Sequence, residues 1–287
     1  MKRGALLAGA LLAPRAVGAD STDNKTVASS RSTAPNETLR TIHSLRTIHG
    51  NFTAQEIPEE TLQSILSASV RAANASNMQC YSILVIRDRE MMENICGYRG
   101  SRLLLFCADH NRLAASARSL GHAYAPDTVE SFVTALIDTT LAAQTAAIAA
   151  RSSGVDYLLT NGVHRGDMER HWKLLDLPAK HCFPVIALVL GYPTAEPDHR
   201  KGRFDGAGLI HEGRYHHVTP EEAEEMTRIY DDESRHLAID FGQNWREEGH
   251  KHYLDWMFTK WMGRPAKQTL TPTQMFEVIK RLGYLGA

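Results

Sequence analysis

The chain has 287 residues and sets 32 Lys and Arg against 33 Asp and Glu, a balance that leaves no basic excess for a nucleic-acid surface. That length suggests one large domain or two small ones around a substantial buried core. The four cysteines, Cys80, Cys96, Cys107 and Cys182, show no CxxC or Cys/His metal spacing, so they are expected reduced and buried, with no disulfide scaffold.

Lys2 and Arg3 precede an apolar run from Ala5 to Ala13, and Ala16-Val17-Gly18-Ala19 places small residues before Asp20. Residues 1–19 therefore have the layout of a secretory signal peptide, too short for a membrane span. A targeting presequence or a mis-assigned start gives the same picture, so export and organelle targeting stand beside a cytoplasmic setting. Residues 20–35 are rich in Ser, Thr, Asn and Asp and read as a flexible linker. Asn-x-Ser/Thr sequons begin at Asn24, Asn36, Asn51 and Asn74; the last two fall inside polar motifs taken up below and are treated as accidental.

From Asn36 the pattern turns globular. Asn36 caps a predicted helix that starts at Glu37 and runs towards Ile48. The pentapeptide Leu-Arg-Thr-Ile-His occurs within it twice, at 39–43 and 45–49, and on a helix the two copies point apart. Ile57-Pro58-Glu59-Glu60 opens an amphipathic helix with Leu62, Ile65, Leu66 and Ser69 inward and Val70 beside them. Strands are expected at Tyr81–Ile86 and Arg102–Cys107, separated by a short helix over 88–95 and a turn at 97–100. The stretch 128–153 is a long helix, apolar or alanine nearly throughout, expected at the centre or across a dimer seam; its Asp138 and Gln144 argue against a membrane span. A strand at 155–159, a helix at 167–175, a buried strand at 183–190 and a short strand or hairpin at 209–211 follow. The remainder reads as helical: 220–237, a segment bearing Trp245, Trp256 and Trp261, and 273–282. Such alternation gives an α/β or α+β layered fold.

Four polar pieces punctuate these elements: residues 45–52, which contain Arg46-Thr47-Ile48-His49; Asn74-Ala75-Ser76-Asn77-Met78-Gln79; Thr160-Asn161-Gly162-Val163-His164-Arg165; and Lys201-Gly202-Arg203. Each alone has an ordinary structural reading. An arginine at a helix end is a solvated charge, Lys-Gly-Arg an exposed turn, the Asn/Ser piece a connecting loop and Asn-Gly a turn. Arranged in this order, with Gln144 on the long helix, Leu175-Asp176-Leu177-Pro178 and Val189-Leu190-Gly191-Tyr192-Pro193, they resemble the nitroreductase family of FMN-dependent enzymes. The resemblance covers about residues 40–285, and is greatest to the oxygen-insensitive NAD(P)H nitroreductase and flavin reductase branch.

That resemblance implies an α+β fold: a mixed sheet flanked by helices in an intertwined homodimer, with a long central helix and FMN in the interface grooves. It implies an FMN-binding core over 36–215 and a helical extension over 216–287 packed on the core or the partner. By position it carries over Arg46, Thr47 and His49 from the first motif, Asn74 and Ser76 from the loop, Asn161 and Gly162 from the strand end, and Lys201 and Arg203 from the late phosphate loop. The phosphate would take its cations from Arg46, Lys201 and Arg203. Asn74, Ser76 and Gln79 would bond ribityl or ring oxygens, and the backbone at Asn161 and Gly162 would approach the ring closely. The family's Arg-Ser-x-Arg reads Arg46-Thr47-Ile48-His49 here, with an extra residue before Phe52, so the second arginine's place falls to His49 or stays unfilled. The implied reaction is ping-pong hydride transfer from NADPH or NADH through the flavin to a nitroaromatic, a quinone or free flavin, with no side-chain catalyst. Arg165 and the stretch 109–128 would contact the nicotinamide phosphate or line the acceptor pocket. The partners implied are a second copy of the chain and a small-molecule acceptor, with no nucleic acid and no stable membrane insertion.

Other readings stay open. A sister-branch enzyme, a reductive dehalogenase or a flavin-fragmenting enzyme, would use the same fold, and a non-catalytic flavin carrier the same residues. A metal site is the lesser alternative: His164, Asp167 and His171, at i, i+3 and i+7, share roughly one helix face but also describe a solvated helix start.

Overall fold

Two uninterrupted apolar runs, β2 (Arg102–Asp109) and β4 (Cys182–Gly191), need cover on both faces and form the central pair of a four-stranded sheet. In this computed structural model, which describes residues 36–196, 203–232, 245–262 and 272–286, the strand order is β1-β2-β4-β3, with β1 at Tyr81–Ile86 and β3 at Asp156–Thr160. The segments expected as signal and linker, Lys201 and Gly202, and the end of the helix expected over 220–237 lie outside the described residues. The three pairings are all antiparallel, where a mixed sheet is the expectation: β2 and β3 run the same way, but β4 returns between them.

Side chains alternate across this sheet. Leu104, Phe106, Leu188 and Leu190 face a cluster shared with α2 (Glu59–Ser69) and α5 (Val129–Ser152). Leu103, Leu105, Cys107, Ala187 and Val189 face the other, which includes Met92 and Ile95 of α3 (Arg89–Cys96). Proline in a central strand is tolerated at a bulge, and one occurs here: Phe106 pairs with Ile186 but Cys107 with Pro184, leaving Val185 extra.

Helix α5 packs through Ala135, Ala142, Ala143, Ala146, Ala147 and Ala150, all buried, so its backbone lies close to the sheet. Thr128 caps it, accepting from the Ser131 N–H at 3.1 Å. Among the described residues α5 is the helix long and apolar enough to cross a membrane, yet its alanine face is spent on the sheet and on α2, where Ser69 Oγ donates to the Ala142 carbonyl at 2.9 Å.

Several local expectations change. Helix α1 is Glu37–His43, not a helix reaching Ile48; the second pentapeptide is extended, with Ile48 N–H bonded to the Tyr157 carbonyl at 3.0 Å. Edge pairing on β3 and burial of Ile48 outweigh helix continuation, and Gly50, at φ +83°, turns the chain away. Residues 209–211 form turns and no strand, and Val70 is exposed. Helix α4 (Asn111–Ser119) fills part of the stretch 109–128, for which no element was expected, and α6 (Arg170–Leu175) begins three residues late because Asp167 is spent on the Glu169 N–H. After α7 (Pro220–Asp231) come α8 (Tyr253–Trp256), a π-type turn (Met257–Trp261) and α9 (Pro272–Arg281), whose Val278, with Leu282 and Tyr284, packs on Phe132, Ala108 and Phe183.

The alanine seam has no spare volume. Ala146→Leu should destabilise the protein by about 1–3 kcal/mol through overpacking, read as a lower urea midpoint; an unchanged midpoint would mean that the helix is free to move off the sheet.

Candidate functional site

The first corner of the site is built on Asp156, the 4% exposed residue that opens β3. Arg46 grips it with two bonds, Nε to Oδ1 at 2.9 Å and Nη2 to Oδ2 at 2.6 Å. Arg151, from the last turn of α5, donates Nη1 to Oδ1 at 2.9 Å and Nε to Ser44 Oγ at 3.1 Å. The outer edge of the Arg46 guanidinium meets the exposed carboxylate of Glu196. Bonds from Asp156 first, then Glu196, push the Arg46 pKa above its ordinary value. Arg203 also reaches this corner: its charge, with that of Arg151, acts on the Tyr157 hydroxyl, whose pKa is raised by burial. Arg46 and Arg151 thus share Asp156, with the charge of Arg203 near enough to act on Tyr157.

Residues 46–49 alternate as an edge strand does. Ile48 is buried, while Thr47 and His49 point to solvent. Arg46 turns inward onto Asp156, so the motif's cation and its other two candidate ligands project from opposite faces. The segment is fastened beyond Gly50 by Thr53 N–H to the Tyr192 carbonyl and Thr194 N–H to the Asn51 carbonyl, each 2.8 Å. A Cβ on Gly191 would come within 2.9 Å of the Phe52 ring, so only glycine admits this crossing.

The second corner is the loop before β1. Ser76, Asn77 and Gln79 all adopt positive φ, at 49°, 57° and 51°, a costly run for residues with side chains. Asp138, 1% exposed on the buried face of α5, holds the loop from beneath: Oδ1 accepts the Ala75 N–H at 2.9 Å and Oδ2 the Cys80 N–H at 3.2 Å. Asn74 Oδ1 accepts the Gln79 N–H at 3.2 Å, and Arg112 donates to the Met78 and Gln79 carbonyls. Gln79 spends its amide on the Val70 carbonyl and the Tyr81 hydroxyl, whereas Ser76 stays exposed. No motif points to Asp138, Asp156 or Tyr157. The available signal for Asp138 was a lone carboxylate at the helical spacing of the buried alanines, where an unpartnered charge is intolerable.

At the far end of β3, Asn161 is exposed, and Gly162 is buried with its N–H on Thr160 Oγ1 at 3.0 Å. A Cβ on Gly162 would lie 2.5 Å from the Cys96 carbonyl, so its smallness serves packing on α3. Arg165 is exposed, and its carbonyl accepts from Arg170. His164 and His171 each commit Nε2 to a backbone carbonyl, of Pro184 at 3.0 Å and Val163 at 2.8 Å. Among the described residues no three His, Cys, Asp or Glu side chains gather to hold an ion.

These corners are far apart in one chain. Tyr157 pairs with Leu190, and Tyr81 connects through Ala108 to Phe183, so three strand spacings and seven residues of β4 separate them, on the order of 25 Å.

The sequence model of the Nitroreductase family matches residues 42–113, which hold the first motif, the strained loop and β1 to β2. The oxygen-insensitive NADPH nitroreductase of Salmonella typhimurium is 29% identical over 209 residues, covering 69% of this chain and 81% of that protein. An FMN reductase (NADPH) of Bacillus subtilis is 28% identical over 206 residues, covering 68% and 81%. The solved structure of NfrA1 from B. megaterium aligns with a TM-score of 0.71 at 26% identity, covering 87% of this chain and 99% of that one. The chain is thus similar, over these lengths, to members of the nitroreductase family.

Removing the carboxylate in Asp138→Ala leaves the Ala75 and Cys80 amides without partners and should cost roughly 3 kcal/mol in urea unfolding. Hydrogen exchange of those two amides should quicken with it; unchanged exchange would mean the loop is held by something else.

Burial pulls the imidazoles of His110, His164 and His171 below their ordinary 6.5. The unfolded chain therefore binds more protons below that pH, so this contribution is complete above about pH 6.5 and is lost as acid is added. The melting temperature should fall between about pH 7 and pH 5.5, and a profile rising towards acid would contradict the assignment.

Proposed function

We propose that the chain is an FMN-dependent oxidoreductase that takes electrons from NADPH or NADH and delivers them to nitroaromatics, quinones or free flavin. The observation that carries this reading is the gathering of guanidinium groups at the start of β3: Arg46 and Arg151 share Asp156, and the charge of Arg203 acts on the neighbouring Tyr157. The names of the relatives, an NADPH nitroreductase and an FMN reductase, support it.

The chemistry of this corner suits FMN. A phosphate is a doubly charged acceptor that prefers guanidinium forks. Asp156 occupies the inner edge of Arg46, while Glu196 on the outer edge is 75% exposed and can be replaced by a phosphate. Arg203 supplies the second cation and Lys201 a third. Thr47 and His49, exposed along the extended segment after α1, and Asn161 offer polar contacts towards the ring. Gly162, packed on Cys96, then acts by letting the strand end sit close to α3.

Asn74 and Ser76 belong to the second corner, so in this reading they serve the flavin of a second chain, and the functional unit is a homodimer. The exposed residues Val129, Val133, Ile137 and Leu141, one on every fourth position of α5, form an apolar stripe that supports self-association. Arg165, exposed beyond β3, is assigned to the nicotinamide phosphate. The core over 36–215 carries these groups, and 216–287 is the extension.

Bound FMN supplies hydride acceptance and donation, so the chain needs no nucleophile or general base. Its own residues bind the phosphate, orient the ring and keep donor and acceptor to one groove used in turn, which gives ping-pong kinetics. Cys80 beside the loop is no nucleophile: burial lifts its thiol to about 11.

The purified protein should be yellow, bleach with NADPH or NADH and regain colour with a nitroaromatic or a quinone; a protein that takes up no FMN would end this reading. Arg203→Ala should weaken FMN binding by about 1.5–3 kcal/mol, the worth of one charge-assisted bond, measured by flavin fluorescence.

A further inference from the structure

Phe204 follows Arg203 directly, and its ring begins a column of stacked aromatic side chains. Phe204 lies on Tyr230 at 5.6 Å with planes 6° apart, Tyr230 on Tyr253 at 6.1 Å and 17°, and Tyr253 on Trp256 at 5.9 Å and 26°. These separations belong to the offset-stacked range, where rings attract beyond their buried area. Tyr253 and Trp256 are buried, and Phe204 and Tyr230 half-buried.

The column is anchored at its base and clasped at its top. Asp231, at the end of α7, accepts the Tyr253 N–H at 2.7 Å and pairs with His252 Nδ1 at 2.6 Å, so α7 and α8 cannot slide past one another. A Cβ on Gly206 would fall 2.6 Å from the Phe204 ring, so the backbone folds tightly over it. Residues 203–208 form neither helix nor strand, which leaves side-chain packing to set where that backbone runs. One residue before this clasped ring, the charge of Arg203 bears on Tyr157 in the first corner.

We propose that the Phe204–Tyr230–Tyr253–Trp256 column is a positioning device for Arg203: the helical extension sets the affinity for the cofactor's phosphate without touching the cofactor. Tyr230 and Tyr253 are positioning residues, acting through Phe204. This rests on the reading of Arg203 as a phosphate cation, and FMN beside riboflavin, which lacks the phosphate, separates the two claims.

The test uses the full-length protein loaded with either flavin, with release on dilution followed by flavin fluorescence. Tyr230→Leu should weaken FMN about tenfold or more, as for one lost charge-assisted bond, and leave riboflavin unchanged. Tyr230→Phe keeps the ring and should behave as the unaltered protein. Because both changes act on one contact, Tyr230→Leu added to Arg203→Ala should cost nothing further. The proposal is overturned if Tyr230→Leu spares FMN, weakens both flavins alike, or multiplies the loss in Arg203→Ala. Should Arg203→Ala itself weaken both flavins alike, the phosphate reading fails first and takes the column's role with it. If Tyr230→Leu does not fold, Phe204→Leu cuts the column at its other end, and the same FMN-only loss is required.

Discussion

A single helix braces both corners of the candidate site. Near its middle, Asp138 of α5 accepts two backbone N–H groups from the strained loop before β1; in its last turn Arg151 shares Asp156 with Arg46. Thirteen positions separate the two points, about 20 Å of helix, and the five buried residues Ala142, Ala143, Ala146, Ala147 and Ala150 line the inward face between them. Small side chains bring the helix axis near enough for both short polar contacts to close. Larger ones would lift α5 away from the two corners together.

Energetically the corners differ. The Asp138 clamp is a buried charge satisfied by backbone donors, strong because water is excluded, and it offsets the cost of three residues held at positive φ. At the Asp156 corner one carboxylate is buried among arginines while the other, Glu196, lies in solvent and contributes little.

The elements with strong periodicity are legible from sequence: β1 at Tyr81–Ile86, α2 with Leu62, Ile65 and Ser69 inward, and α5 within one residue of each expected end stand where hydrophobic spacing puts them. The stretch after His43 is not. Leu45-Arg46-Thr47-Ile48-His49 continues a helical pattern locally, and only its pairing with Tyr157, more than a hundred residues away, makes it extended. Helix α4 was hidden for a related reason: none of its residues is fully buried, and Leu113 is the one large apolar side chain it sets against the core.

By itself the amino-acid sequence determined the layering of helices and strands and the order of the polar motifs, because these follow from local spacing and residue type; the α+β class came with the family resemblance. Tertiary structure decided which charges meet. Asp156 beneath Arg46, Asp138 beneath the loop and the two corners at opposite ends of the sheet all depend on strand order and register, which bring together residues with no fixed separation along the chain.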